Sequence, residues 1–302
     1  MKHLVSLGEC MIELSGAGDD LWRMGIAGDT LNTAWYARAT LPDDWRVSYG
    51  TVVGTDAFSA RVPLFLGAAG IKTDRVFTHP TRSIGLYAIT LRDGERSFSY
   101  WRDTSAAKTL ADDADRLAQM TADAGMVHVS GITLAVLSPA GRQTLISHLA
   151  DLRAAGVQTV LDPNIRPRLW ESLETAAQVL TAAARSCSIV LPSFDDEAAC
   201  FGDADQQATL DRYAALGVET IIVKNGGGPI AVQTAGNRLV LDGITPVQPV
   251  DTTGAGDSFN GAFLAALLQG QSILSAVHAG HAMAARVVCH RGALIPMDDL
   301  RN

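Results

Sequence analysis

The most informative stretch of the chain is Asp251-Thr252-Thr253-Gly254-Ala255-Gly256-Asp257-Ser258-Phe259-Asn260-Gly261-Ala262-Phe263-Leu264. Three small residues stand directly before the acid at 257. The residues after it repeat apolar side chains at helical spacing, and Gly270 supplies a stop. The pattern predicts a glycine-rich turn at the N-terminus of a helix. Free N–H groups and the helix dipole make such an end a site for anions.

Two roles are open for Asp257. Aspartate is a preferred N-cap, so this side chain could simply begin the helix. Alternatively, it is a base aimed at a phosphate that lies on Gly254, Ala255 and Gly256. The second arrangement suits phosphoryl transfer to a hydroxyl group.

The run resembles the C-terminal signature of the PfkB, or ribokinase-like, family of sugar kinases. The resemblance implies that Gly254, Ala255 and Gly256 form the anion hole and that Asp257 is the catalytic base. It also implies a site for a monovalent cation such as K⁺ at Asp251 and Thr253. A plain turn is the alternative there.

Composition narrows the class of protein. The chain has 302 residues, of which 47% are apolar, enough for one large α/β domain or two small ones. A net charge of −8 without a basic cluster argues against nucleic acid or an anionic membrane as a partner. We find neither a membrane-length apolar run nor a signal peptide, and the four cysteines are scattered. This favours reduced thiols in a cytoplasmic protein.

Short apolar runs alternate with helical patterns along most of the chain. This order predicts an α/β fold with a mostly parallel central sheet covered by helices on both faces. The predicted strands are Leu4–Leu7, Met126–Val129, Thr159–Leu161, Ile189–Leu191 and Ile221–Val223, and the clearest helices are 138–155 and 171–185.

Residues 84–102 interrupt this alternation. Two strands of alternating character, 84–91 and 96–102, flank Asp93-Gly94, a strong hairpin signal. With residues 9–15 they could form a small accessory sheet. The family resemblance implies one ribokinase-like kinase domain over 1–302, with a β lid built from about 9–27 and 72–103. It further implies a homodimer through the lid, or a higher homo-oligomer.

A glycine run follows the predicted strand at 221–223. It is not a Walker A motif, because no Lys-Ser/Thr pair follows it and Pro229 does. Alone it indicates a turn, but ligands gather beyond the carboxyl ends of parallel strands. The resemblance places this segment beside ATP, and we expect Asn164 there as well. The segment comprises Lys224, Asn225, Gly226, Gly227 and Gly228.

Two segments have residues suited to a sugar. Gly28 would permit its close approach, while Asp29 and Asn32 would bracket its hydroxyls; a capped helix start is the alternative. On the hairpin, period-two alternation puts Tyr100 and Arg102 on one face. Tyr87 lies on the other strand, and cross-strand packing is the alternative role for the tyrosines.

Arginines suggest that the sugar is an acid. Arg102 comes from the hairpin and Arg166 from a proline-stiffened loop beyond a predicted strand. A carboxylate pairs with planar guanidinium groups through charge-assisted hydrogen bonds, which a neutral sugar does not require. Solvated arginines or structural ion pairs are the alternative.

These segments resemble one branch of the family, the 2-keto-3-deoxygluconate kinases. That branch implies ATP- and Mg²⁺-dependent phosphorylation of the terminal hydroxyl of the sugar acid. Another kinase of the same fold, acting on fructose, ribose or a nucleoside, is the alternative. The resemblance implies contacts to the sugar acid from Gly28, Tyr87, Tyr100, Arg102 and Arg166. The matching runs are 8–15, 28–33, 100–102, 130–132, 166–170 and 291–293.

The chain departs from the family pattern at two places. Ala27 stands where the branch usually has a second glycine, a change that would narrow the sugar pocket. The family's Asn-x-x-Glu element has lost its asparagine, and Glu197 is the acid we expect to act on magnesium-bound water. A solvated helix start is the alternative for Glu197. His278 and His281 stand at a metal-binding spacing, but because no third ligand is evident we interpret them as core or nucleotide-pocket histidines.

Overall fold

The computed structural model describes residues 2–18, 21–92, 95–242 and 247–301. Its main sheet has nine strands in the order β13-β12-β11-β10-β9-β8-β1-β4-β5, parallel from β11 through β5 and antiparallel at β12 and β13. The predicted mostly parallel sheet is confirmed, and each of the five predicted strands is present. The nine are β1 His3–Leu7, β4 Arg46–Val53, β5 Val76–Thr78, β8 Met126–Ser130, β9 Gln158–Asp162, β10 Ile189–Val190, β11 Thr220–Val223, β12 Ile230–Thr234 and β13 Asn237–Leu241.

Helices cover both faces of this sheet. One apolar core lies between the sheet and α1, α2, α9 and α10, and the other between the sheet and α3, α4, α5, α6 and α8. The helices predicted at 138–155 and 171–185 are confirmed as α5 and α6. The helices are α1 Asp29–Thr40, α2 Arg61–Ala68, α3 Ala114–Thr121, α4 Gly131–Val136, α5 Pro139–Ala154, α6 Leu173–Arg185, α7 Phe194–Phe201, α8 Gln206–Ala215, α9 Ala255–Leu268, α10 Ile273–Val288 and α11 Met297–Arg301, with short 3-10 turns at Ala106–Thr109 and Pro167–Leu169.

The lid is a second sheet of four strands, ordered β3-β2-β6-β7. The predicted hairpin is confirmed, and Arg92 pairs with Glu95; Asp93 and Gly94 lie outside the described residues. The predicted lid segment 72–103 is too long, however. Its first part belongs to the main sheet, because β5 pairs with β4 there. The lid strands are β2 Met11–Gly16, β3 Trp22–Ala27, β6 Gly85–Arg92 and β7 Glu95–Trp101.

Helices α1 and α9 cross at very short distance. A Cβ atom added to Gly261 of α9 would lie 2.6 Å from the carbonyl oxygen of Thr33 and 2.8 Å from the amide nitrogen of Ala37. Only glycine allows this approach, and it brings the first turns of the two helices together at the carboxyl edge of the sheet. None of the helices in the described ranges has the length and apolar character needed to cross a membrane.

Candidate active site

The glycine-rich turn forms a helix start that no side chain caps. Gly254 is the N-cap residue, with a left-handed φ of 77° that favours glycine, and α9 begins at Ala255. A Cβ at Gly254 would also approach the carbonyl oxygen of Ala293 to 2.9 Å. Asp257 therefore lies inside the first turn and is not the cap. Its Oδ2 instead accepts a 2.8 Å hydrogen bond from Asn32 Nδ2 of α1.

The environment of Asp257 favours the protonated carboxyl group. Desolvation raises its pKa from 3.8 to about 7, and the nearby charges of Asp29 and Asp162 add to the rise. The hydrogen bond from Asn32 and the charge of Lys224 oppose it. A carboxyl group with a pKa near neutrality can both accept and return a proton, which is what general base catalysis requires.

The start of α1 lies against this turn. Gly28 has an extended backbone, but a Cβ there would overlap the carbonyl oxygen of Glu9, so close packing is what requires glycine. Asp29 Oδ2 accepts a 2.9 Å hydrogen bond from Asn164 Nδ2, and burial raises the pKa of Asp29. Asn164 has a left-handed φ of 33°, a conformation that asparagine tolerates better than most residues. The predicted residues Asp29, Asn32, Asn164 and Asp257 are thus brought together.

A buried polar triangle lies below the turn. Asp162, the last residue of β9, accepts a 2.6 Å hydrogen bond from Asn260 Nδ2, and Lys224 Nζ lies 3.4 Å from the same carboxylate oxygen. Lys224 Nζ also donates to Asn260 Oδ1 at 3.1 Å. The triangle ties the ends of β9 and β11 to the first turns of α9.

The glycine run at 226–228 is a hairpin turn between β11 and β12. Gly228 N donates to Asn225 O at 2.8 Å, and Gly226 has a left-handed φ of 53°. Gly226 and Gly227 are exposed at the carboxyl edge of the sheet. The tight hairpin turn accounts for the glycines. Because the turn lies at the carboxyl edge of the sheet, residues 225–228 are accessible to a nucleotide.

One face of the lid has a tyrosine pair. The rings of Tyr87 and Tyr100 lie 5.8 Å apart, so the cross-strand packing contact is present. The Tyr87 hydroxyl donates to the Glu13 carboxylate, and burial raises the pKa of Tyr87. The negative charge of Asp257 acts in the same direction, which places the Tyr87 face of the lid toward the turn. Glu13 was not predicted as a site residue.

Arg102 is buried at the end of β7 and forms an ion pair with Glu9. In the part of the chain that the structure describes, Arg102 Nε and Glu9 Oε1 have no hydrogen-bond partner. A cavity of about 400 Å³ lies beside Arg102, between the lid strands and the segment that precedes α2. Asp257 does not line it. Its walls include Ile12, Asp56, Phe58, Ile84, Tyr100 and Trp101.

Arg166 lies at the rim with about half of its side chain exposed. Its Nη1 lies 3.3 Å from Asp196 Oδ2, in the first turn of α7. Burial raises the pKa of Asp196, and Asp162 and Lys224 are among the charges that act on it. Both predicted carboxylate-binding arginines therefore already have a protein carboxylate as partner.

Glu197 is a correction to the sequence prediction. Its side chain is fully buried and turned about 100° around α7 from Asp196, so that it accepts hydrogen bonds from Arg212 and Tyr213 in the interior. Burial raises the pKa of Glu197 to about 7. This carboxylate cannot organise water at the cleft, nor is it part of a solvated helix start. The acid of this segment that faces the cleft is Asp196.

The Asp251–Thr253 segment has the geometry of a turn. Asp251 Oδ1 accepts hydrogen bonds from the backbone and hydroxyl of Thr253, and its Oδ2 accepts one from Gly292 N at 2.6 Å. His278 is exposed on α10 and His281 is partly buried. Within the described ranges no group of three His, Cys, Asp or Glu side chains is placed to hold a metal ion.

The chain is similar to known carbohydrate kinases along nearly its whole length. Residues 1–300 match the model of the pfkB family of carbohydrate kinases. The chain belongs to this family. It is 38% identical to the 2-dehydro-3-deoxygluconokinase of Dickeya dadantii over 98% of both chains.

Two solved structures show the same fold at low sequence identity. One is 2-dehydro-3-deoxygluconokinase from Thermotoga maritima, with a TM-score of 0.81, 20% identity and coverage of 99% of this chain and 98% of that one. The other is fructokinase with bound ATP from Xylella fastidiosa, with a TM-score of 0.82, 22% identity and coverage of 97% and 94%. The predicted ribokinase-like fold is confirmed.

Proposed function

We propose that the protein transfers the γ-phosphoryl group of ATP to the terminal hydroxyl of 2-keto-3-deoxy-D-gluconate, giving 2-keto-3-deoxy-6-phosphogluconate. The observation that carries the proposal is the half-buried Asp257 carboxylate, held by Asn32 beside the uncapped Gly254–Gly256 turn. The relationship to the Dickeya dadantii enzyme along nearly the whole chain supports the choice of substrate.

Each part of the turn has one task in this reaction. Asp257 accepts the hydroxyl proton as the sugar oxygen forms its bond to the γ-phosphorus. The bond from that phosphorus to the bridging oxygen breaks, and ADP leaves. The free N–H groups at the start of α9 stabilise the charge on the transferred group. Phosphoryl transfer depends mainly on positioning and charge, which suits a site with little covalent machinery.

The donor set near the turn fits the cofactors. The half-buried Asp196 carboxylate, with Asp162 near it, suits water bound to the Mg²⁺ that accompanies ATP. The metal neutralises phosphate charge when bound. We also propose that a K⁺ ion occupies the Asp251–Thr253 turn and that the 225–228 turn contacts the nucleotide.

Arg102 supports an acid as the substrate. Its buried Nε lacks a partner in the described structure, and an unsatisfied buried donor is unfavourable. A substrate carboxylate would supply the missing acceptor. Tyr87 and Tyr100 would pack against the carbon chain, and Asp29 would accept from a hydroxyl. Arg166 would join the site by exchanging its contact with Asp196.

A kinase for a neutral sugar is the second candidate. It is favoured by the ion pairs of Arg102 with Glu9 and of Arg166 with Asp196, which balance both positive charges without a ligand.

A substrate panel separates the two candidates. Coupled ATP turnover would be measured with 2-keto-3-deoxygluconate, its 4-epimer, fructose and ribose, with Asp257→Asn as the control. We expect the sugar acid to give the highest kcat/KM. Preferential turnover of a neutral sugar would contradict the proposal.

We further propose that the protein forms a homodimer through the lid. The lid has large exposed aromatic side chains, which isolated monomers seldom leave uncovered in one place. Sedimentation velocity of the intact chain and of a Trp101→Ser variant tests this, and a monomeric wild type would contradict it. The exposed aromatics are Trp22, Phe98, Tyr100 and Trp101.

A further inference from the structure

The Lys224 side chain lies beneath the glycine-rich turn at Gly254–Gly256, and not beside the exposed glycines at 226 and 227. A Cβ added to Gly256, the second residue of α9, would lie 3.5 Å from Lys224 Nζ. The side chain is only 9% exposed, and its ammonium group points inward to Asn260 and Asp162. In the turn that follows, Gly226 and Gly227 are exposed to solvent.

This position adds positive charge where a bound anion would benefit from it. The N-terminus of a helix has a partial positive charge, so proteins normally place acids at that end and lysines at the opposite one. Here a buried ammonium group adds positive charge to the start of α9. Asp162 is its direct counter-ion, and Asn260 satisfies a further N–H group. Asp196 and Asp257 are further charged side chains that interact with it, and His128 of β8 is the nearby imidazole.

Asn260 shows that the arrangement is built into the fold. It is fully buried in an otherwise apolar stretch of α9, next to the Gly261 crossing with α1. A buried amide requires partners, and here Lys224 and Asp162 occupy its oxygen and its nitrogen. The Asn260 amide therefore fixes the start of α9 relative to the carboxyl ends of β9 and β11.

We propose that Lys224 is a positioning residue for the terminal phosphate of the nucleotide. Through Asn260 and Asp162 it fixes the first turn of α9, and its charge below Gly256 strengthens the attraction of that turn for the phosphoryl group in transit. The inference rests on the proposed kinase function and deepens it. It assigns Lys224 to the phosphate end of the nucleotide and not to the nucleoside end.

Nucleotide binding tests the inference without sugar turnover. Calorimetry would compare AMP, ADP and the non-hydrolysable analogue AMP-PNP, each with Mg²⁺, on the wild type and on Lys224→Met. Charge-assisted interactions of this kind change affinity by about 10- to 100-fold. We expect a loss of that size for AMP-PNP and little loss for AMP. Lys72→Met removes an exposed lysine and should change neither.

A second variant guards against misfolding, because Lys224→Met leaves the Asp162 carboxylate buried without its ion-pair partner. Asp162→Asn combined with Lys224→Met removes both charges and should show the same selective loss. Equal losses for all three nucleotides, or no loss, would overturn the inference. A wild type that binds AMP-PNP but phosphorylates no sugar would overturn the proposed function and leave this inference standing.

Discussion

Asp257→Asn should stabilise the folded protein while it removes the base. The substitution keeps the shape of the side chain and an oxygen that can accept from Asn32 Nδ2. It eliminates the carboxylate, whose ionisation the folded state disfavours. Active sites commonly contain groups that are needed for activity but lower the stability of the folded protein.

The size of the effect follows from the pKa of Asp257. The unfolded chain releases this proton near pH 3.8, whereas the folded protein holds it until about pH 7. Between these values the folded state binds more protons, so the stability of the wild type falls as pH rises. At 1.36 kcal/mol per pH unit, the advantage of Asp257→Asn is about 4 kcal/mol at pH 8, about 2 kcal/mol at pH 5 and close to zero below pH 3. These are upper limits, because the carboxylate is partly exposed.

Urea unfolding at pH 5 and pH 8 measures the difference. The free energy of unfolding of Asp257→Asn should exceed that of the wild type at both values, and by more at pH 8. An advantage that does not change with pH, or a variant less stable than the wild type at pH 8, would refute the reasoning. Asp195→Asn, a matched change elsewhere on the chain, should not reproduce the trend.

Three further predictions concern packing, substrate charge and metal. Gly261→Ala should lower the free energy of unfolding by about 1–3 kcal/mol, because its Cβ would collide with the backbone of α1; Gly227→Ala, in open space, should be near neutral in the same urea titration. Arg102→Ala should raise KM for the sugar acid by about 10- to 100-fold and less for a neutral analogue; equal effects would remove the carboxylate argument. Asp196→Ala should raise the Mg²⁺ concentration at half-maximal velocity, whereas Glu197→Gln, whose contacts are with Arg212 and Tyr213 in the interior, should leave the Mg²⁺ requirement unchanged. The reverse result would restore the original assignment of Glu197.

The sequence predicted the fold well because its signals are local. The short apolar runs of the strands, the helical spacing after Asp257 and the alternation at 84–102 each depend on a few consecutive residues. The two outermost strands at each end of the main sheet, β4 and β5 at one end and β12 and β13 at the other, were not predicted. The extent of the lid was overestimated at 72–84 because pairing partners, which decide sheet membership, lie far away in sequence.

The site was predicted where a family motif was present and missed where partners come from distant segments. Glu9 and Glu13 lie in a run that was recognised, yet their roles as partners of Arg102 and Tyr87 depend on the pairing of β2 with β6, about 70 residues further along the chain. Asn260 left a detectable signal, since a polar residue inside an apolar helical stretch requires a buried partner. Asp162 left a similar signal, because it is a charged residue directly after a predicted buried strand.

The neighbouring acids 196 and 197 show the limit most clearly. Adjacent helical residues differ by about 100° in direction, so one faces the cleft and the other the core. Composition and spacing could not decide between them, because α7 has acids at three consecutive positions in its first turn. Packing against Arg212 and Tyr213 decides it.

The proton transfer assigned to Asp257 is tested most directly by single-turnover phosphorylation of 2-keto-3-deoxygluconate. Rapid quench with saturating ATP would compare the wild type with Asp257→Asn, while calorimetry follows the affinity for both ligands. We expect the chemical step to slow by about 10²- to 10⁴-fold, with dissociation constants changed little. A variant that transfers the phosphoryl group at close to the wild-type rate would contradict the assignment.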